Sequence, residues 1–243
     1  MVSNAEEDKI MRIDVITLFP SMFYGPFGES ILKRACDRKL IELNVIDLRE
    51  YTHDKYRTVD DRPFGGGAGM VMKCEPLFEA VEDLRTDESK VIIMTPQGEP
   101  FSQARAVSLS HETHLIFICG HYEGIDERVH EKLADIELSI GDYILTNGNL
   151  SAMVITDAIC RLVPGVLDGE ETLSDESFNQ GLLEYPHYTR PRDFRGMEVP
   201  EVLLSGNHKA IASWRQTQSE IRTEQRRPDL LSGAEKFKNG AIK

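Results

Sequence analysis

Five consecutive residues near the middle of the chain, Leu115–Cys119 (LIFIC), include no polar side chain. Side chains alternate between the two faces of a strand, so a strand of this composition needs apolar cover on both faces. A sheet wetted on one side has no place for it. The run therefore belongs in an α/β sheet with helices on both sides. It closes in a glycine-bearing turn, Leu115–Asp126 reading LIFICGHYEGID, and about twenty residues later Ile136–Gly148, IELSIGDYILTNG, repeats the arrangement. Glycine at the carboxyl end of a buried strand lets backbone approach a ligand at little steric cost. Ligands of open α/β sheets collect at those strand ends. Two such loops lining one pocket point to an α/β enzyme with a small-molecule cofactor.

The rest of the chain alternates strand and helix patterns. Ile13–Phe19, Ile41–Leu48, Val91–Thr95 and Ile136–Ser139 read as strands. Ser30–Lys39 (with Ser30 as its N-cap), Pro76–Leu84, Ser102–Ser110, Asp126–Leu133 and Leu150–Leu162 read as helices. The alternation predicts a mostly parallel sheet. Two irregular stretches interrupt it. One is Tyr51–Met70, ending DDRPFGGGAGM; the other is Pro164–Ser177, an acidic linker. A further helix is expected from about Lys209 to Arg226.

Several classes of function fall away. No apolar run approaches the roughly 18 residues of a membrane helix, and the amino terminus, MVSNAEEDKI, is polar rather than a signal peptide. Cys36, Cys74, Cys119 and Cys160 are widely spaced and read as free thiols of a reducing cytosol, three of them within apolar patterns. His111 and His114 lack further ligands and read as surface residues, so no metal site is expected. There is no P-loop, no G-x-S-x-G elbow and no H-E-x-x-H. GGGAGM follows a loop and misses the third glycine of the dinucleotide fingerprint. A formal charge of −13 argues against polyanion binding over the whole surface. Between His187 and Leu231, however, eight Arg/Lys stand against six acids, as a local phosphate-contacting module would require.

Six blocks in order, DDRPFGGGAGM, MTPQG, CGHYEGIDERV, SIGDYILTNGN, LLEYPHYTRP and VLLSGNH, resemble the bacterial tRNA (guanine-37-N1)-methyltransferases from about Met11 to Leu231. The resemblance implies a deep trefoil knot in a mostly parallel α/β sheet, with a small helical C-terminal domain. It implies S-adenosylmethionine as methyl donor, suggests that magnesium assists, and implies tRNA as substrate for a cytoplasmic homodimer whose active site is shared between subunits. The matching organisation is a disordered leader at 1–10, a knotted domain at 11–167, a flexible linker at 168–180, a tRNA-binding domain at 181–231 and a disordered tail at 232–243.

Cofactor contacts are carried over to Pro96, Gln97, Gly98, Gly120, Tyr122, Glu123, Gly124, Ser139, Ile140, Gly141, Asp142, Tyr143, Ile144, Leu145 and Gly148. Each apolar member, taken singly, is equally at home in a core. Arg161 matches the family's arginine. The family's linker acid, usually Asp in D-S-F, falls on Glu176, with Asp175 before it. Either could remove the proton on guanine N1. Arg190, Arg192, Asn207, His208 and Arg215 are carried over as RNA contacts, while Trp214 reads as a helix-packing residue. Two departures stand out: Asn147–Ser151 replaces G-G-E-L-P, and Ala68 replaces a proline. The competing readings are a knotted enzyme acting on ribose 2′-oxygen and an RNA-binding module without activity.

Overall fold

The computed structural model describes residues 10–167, 176–179 and 181–231. They fall into two compact units divided after Leu167. The leader before Ile10, residues 168–175 and 180 of the expected linker, and the tail from 232 lie outside the described residues.

The first unit is built on five parallel strands in the order β2-β1-β6-β5-β7: β1 Met11–Thr17, β2 Ile41–Asp47, β5 Ser89–Pro100, β6 His114–Cys119 and β7 Ile136–Ser139. β6 is central and buried along its whole length. Its Leu115, Phe117 and Cys119 enter one core with Ile13, Val15 and Leu138, under α2 (Ser30–Asp37), α4 (Gln103–Ser110) and α6 (Asn149–Cys160). Its Ile116 and Ile118 enter the opposite core with Val91 and Ile93, under α3 (Cys74–Leu84) and α5 (Glu127–Leu133). Apolar cover on both faces, which the composition of the strand demands, is thus supplied by two helical layers. A short turn, α1 (Tyr24–Phe27), precedes α2.

Local chemistry sets most boundaries. Ser102 and Asp126 cap α4 and α5 by accepting from the amides of Arg105 and Arg128. Ser30 is not the cap expected. Glu29 holds the extended backbone of a cap position (φ −133°, ψ 164°), and Ser30 is already the first helical residue. β5 runs five residues past Thr95 because the chain bulges after Met94 and rejoins β7 through Glu99 and Pro100. The irregular Tyr51–Met70 stretch contains β3 (Asp60–Asp61), paired antiparallel with β4 (Val71–Met72). All four cysteines are free; Cys119 and Cys160 are buried, and burial pushes both thiols well above their usual range. Among the described residues no helix is long and apolar enough to cross a membrane.

His114 corrects its surface assignment. It opens β6, is 4% exposed, and its Nε2 lies 2.8 Å from Asp14 Oδ2 in the middle of β1. Its Nδ1 lies 2.7 Å from Ser89 Oγ. Asp14, fully buried, also accepts from Arg12 and Asn44. The i, i+3 spacing to His111 carried no sign of a carboxylate a hundred residues away.

The second unit contains a small hairpin, β8 (Asp193–Phe194) with β9 (Met197–Glu198), then a short α7 (Glu201–Leu204) and a long α8 (His208–Arg226). Asn207 caps α8 through the amide of Ala210. Thr223, buried on α8, accepts from the amide of Leu183 at 2.8 Å and donates to the Ser219 carbonyl, tying the incoming strand of chain to the helix.

Removing Asp14 leaves a buried histidine and a partly exposed arginine without their shared acceptor, and leaving a buried polar group unsatisfied costs about 1–3 kcal/mol. Asp14→Ala is expected to lower unfolding stability by that order, and Asp14→Asn by less because the amide oxygen still accepts. Urea titration of both variants checks it.

Candidate functional site

Three chain segments meet at the carboxyl ends of β5, β6 and β7. The first is the bulge after Met94. There Gly98 lies so close to β7 that a Cβ on it would stand 2.5 Å from the Glu137 carbonyl carbon and the Leu138 nitrogen. The second is the turn after β6. It is held from outside by β4, since Glu123 N donates to Met70 O, Met72 N to Gly124 O and Asp126 N to Met72 O. The glycine loop ending at Met70 thereby braces this turn. The third runs from Ile140 to Gly148. Gly148 N donates to Gly120 O at 2.9 Å, and a Cβ there would stand 3.0 Å from Cys119 Cα and Gly120 N.

Together these segments enclose a cavity of about 410 Å³. Its lining includes Pro96, Gln97, Gly120, Tyr122, Glu123, Gly124, Ser139, Ile140, Gly141, Tyr143, Ile144, Leu145 and Gly148. Of the residues carried over to the cofactor, Gly98 and Asp142 do not line it. Gly98 is spent against the β7 backbone, and Asp142 is exposed. The third segment is stiffened within itself: Tyr143 N donates to Gly141 O, Tyr143 OH to Ile140 O, and Ser139 Oγ to Gly141 O.

Two histidines of the lining escaped sequence reading. His121 Nδ1 is buried with no hydrogen-bond partner, and its ring stands edge-on to Phe19 (5.0 Å) and Tyr122 (4.4 Å). His130 Nδ1 lies 2.7 Å from Glu137 Oε1. His121 was legible as part of CGHYEGID; His130 sits in the helix expected over Asp126–Leu133, whose pattern does not mark it as facing a cavity. Burial, then a hydrogen bond to Asp60, raises the Tyr122 hydroxyl pKa above its ordinary value.

Asn149 shows what the departure from G-G-E-L-P does. It is 1% exposed, and its Oδ1 accepts from Thr17 Oγ1 at 2.8 Å at the end of β1. Its Nδ2 donates to Met22 Sδ at 3.1 Å, and its own amide donates to Asn147 Oδ1. The start of α6 is pinned to β1 through these bonds.

Arg161 ends α6 in the first unit. Glu176 belongs to the second, half-buried, with its carbonyl accepting from the Asn179 amide at 3.4 Å. Asp175 lies outside the described residues. Arg190, Arg192, Asn207, His208 and Arg215 are all exposed in the second unit. Arg215 stacks on Tyr185 at 4.6 Å, and Asn207 is engaged in capping α8. Trp214 is half-buried, 6.4 Å from the Tyr188 ring.

The family described as tRNA (Guanine-1)-methyltransferase TrmD matches residues 11–233. A tRNA (guanine-N(1)-)-methyltransferase of Carboxydothermus hydrogenoformans is 59% identical over 221 residues, which is 91% of this chain and 87% of that protein. One of Bacillus cereus is 56% identical over 228 residues, 93% of either chain, and one of Bacillus anthracis aligns equally well.

The glycine contacts yield an ordered expectation. Gly98→Ala must push β5 and β7 apart and should cost about 1–3 kcal/mol, as overpacking does. Gly148→Ala, tight by only a few tenths of an ångström, should cost less. Unfolding midpoints of the two variants rank them, and equal stability would contradict the geometry.

Proposed function

The chain belongs to the tRNA (Guanine-1)-methyltransferase family, and from that membership we propose how its parts carry the reaction. It methylates N1 of guanine in tRNA. The methyl donor is S-adenosylmethionine, and the target is guanine 37, next to the anticodon. The observation that carries this reading is the convergence of three glycine-bearing segments on one cavity at the strand ends.

The residues present suit the donor. The volume falls within the range of small-molecule sites. Leu138, Ile140 and Leu145 offer apolar wall, and His121 Nδ1 offers a buried polar atom not used by the protein. Pro96, Gln97, Tyr122, Glu123, Gly141, Tyr143 and Ile144 would complete the hold. When bound, S-adenosylmethionine supplies a methyl group on a positively charged sulfur, which leaves without help from an enzyme nucleophile. Among the described residues no group of three or more His, Cys, Asp or Glu is placed to hold a metal ion, and no step is assigned to magnesium.

Guanine N1 carries a proton at neutral pH, so the protein's task is to remove it and to oppose negative charge growing on O6. Glu176 takes the proton, Asp175 being the alternative, and the Arg161 guanidinium faces O6. Arginine at the carboxyl end of α6 would also favour the helix dipole, so charge alone does not define its role. The competing ribose 2′-oxygen reading also requires a proton to be removed, but the resemblance places no linker acid at that position in such enzymes.

A deep trefoil knot is supported by the path of α6. The chain leaves β7 at the sheet edge and comes back onto the carboxyl end of β6 before α6 begins, where Gly148 N donates to Gly120 O and its Cα has little room for a methyl group against Cys119. A homodimer is supported by Leu150 and Val154, one turn apart on α6 and about half exposed, beside exposed Met22; a site shared between its subunits rests on the family resemblance. A cytoplasmic location follows from the substrate.

Glu176→Gln should slow single-turnover methyl transfer by at least tenfold, about 1.4 kcal/mol in barrier, with Asp175→Asn as the parallel measurement. If neither slows it, the base lies elsewhere. Arg161→Lys keeps the charge but loses the planar fork. It should lower the rate without lowering the melting temperature. Val154→Asp should convert the dimer to monomer in analytical ultracentrifugation; an unchanged sedimentation coefficient would move the interface off α6.

A further inference from the structure

Residues 187–198 of the second unit are exposed without interruption. Within them β8 and β9 pair Phe194 directly with Met197, 52% and 64% exposed. Cross-strand partners share a face, so the hairpin holds an aromatic ring and a thioether side by side in water, where they add to neither core. Its turn is Arg195–Gly196, both at positive φ (59° and 79°). Glycine is at ease there; arginine is not, at about 1–2 kcal/mol. That strained tip sets the Arg195 guanidinium 5.1 Å over the Phe194 ring. The Val199 amide donates to Arg192 O and Gly196 N to Asp193 Oδ1, so the hairpin is bonded at both ends.

We propose that the Phe194–Met197 face, with Arg195 at its tip, is a stacking platform for an unpaired base of the RNA substrate. The proposal rests on the tRNA methylation assigned above. Bases present a π-face whatever their identity, and the backbone beside them carries one charge per nucleotide. Interleaved aromatics and guanidinium groups are the chemistry that fits both. Arg190 and Arg192 lie on the same exposed run. On a chain of formal charge −13, the run 190–198 sets Arg190, Arg192 and Arg195 against Asp193 and Glu198, a small positive balance where a polyanion meets less repulsion than over the acidic remainder. A protein partner would be better matched by a concave apolar groove than by this convex, arginine-rimmed tip.

The experiment uses the full-length enzyme and a full-length tRNA transcript. Phe194→Ala should raise KM for tRNA about tenfold, with kcat, S-adenosylhomocysteine affinity and melting temperature unchanged. Arg195→Gly should relieve the turn, raising or preserving stability, and should reduce the salt slope of tRNA binding by about one charge. Phe194→Ala should leave that slope as it is. A photocrosslinking phenylalanine analogue at position 194 should attach to an unpaired nucleotide. Normal methyl transfer with an unchanged KM in Phe194→Ala overturns this proposal alone, as does crosslinking to a second copy of the chain. Absence of methyl transfer to guanine N1 by the unsubstituted enzyme overturns the reaction assigned above and this proposal with it.

Discussion

Two places where backbone touches backbone shape the whole first unit. At Gly98 the end of β5 lies on the β7 main chain, and at Gly148 the start of α6 lies on the end of β6. Neither contact admits a methyl group without movement. Because both occur at the carboxyl edge of the sheet, the loops leaving three neighbouring strands cannot diverge. They close over one cavity instead. The site is thus a consequence of packing distance before it is a matter of any particular side chain.

Two polar networks tie the strands of the first unit together. Asp14, in the middle of β1, joins His114 and through it Ser89, at the amino ends of β6 and β5. At the carboxyl ends, Thr17 and Asn149 join β1 to the helix that leaves the cavity. Each group in these networks is short and fully engaged, as buried polar atoms must be to avoid a desolvation cost. Among the described residues two buried side-chain polar atoms lack a partner: Thr156 Oγ1 in α6, and His121 Nδ1 beside the cavity. An unmet polar atom there is a feature of a binding site rather than of a core. Asn149, where the family commonly has glutamate, supplies an acceptor to Thr17 and a neutral donor to the Met22 sulfur.

Much of the fold was legible. The apolar run at Leu115–Cys119, the strand at Ile136–Ser139 and the helical periods around them gave the sheet type and most element boundaries to within a few residues. Misreadings came where a distant partner decides. His114 looked like a surface residue because its carboxylate is a hundred positions away in β1. Val91–Thr95 stopped short because Pro96 and Gly98 signal a turn, whereas here they sit in a bulge that β7 stabilises. Much of the cavity lining coincides with residues that the family resemblance carries over to the cofactor, and the glycine loops marked the segments they lie on. His130 was missed because an exposed-looking helical stretch carries no mark of which face turns toward a cavity.

By itself the amino-acid sequence determined what each segment wants: which strands need cover on both faces, where helices start, and where backbone is free to come close. These preferences act over a turn or two of chain, so they can be read locally. Which segments meet was decided only by the tertiary structure. Strand order, the bracing of the β6 turn by Met70 and Met72, and the pairing of Thr17 with Asn149 across 132 positions all depend on the path of the chain in space. Hydrogen bonds and van der Waals contacts act over a few ångströms, and separation along the chain does not encode separations of that kind.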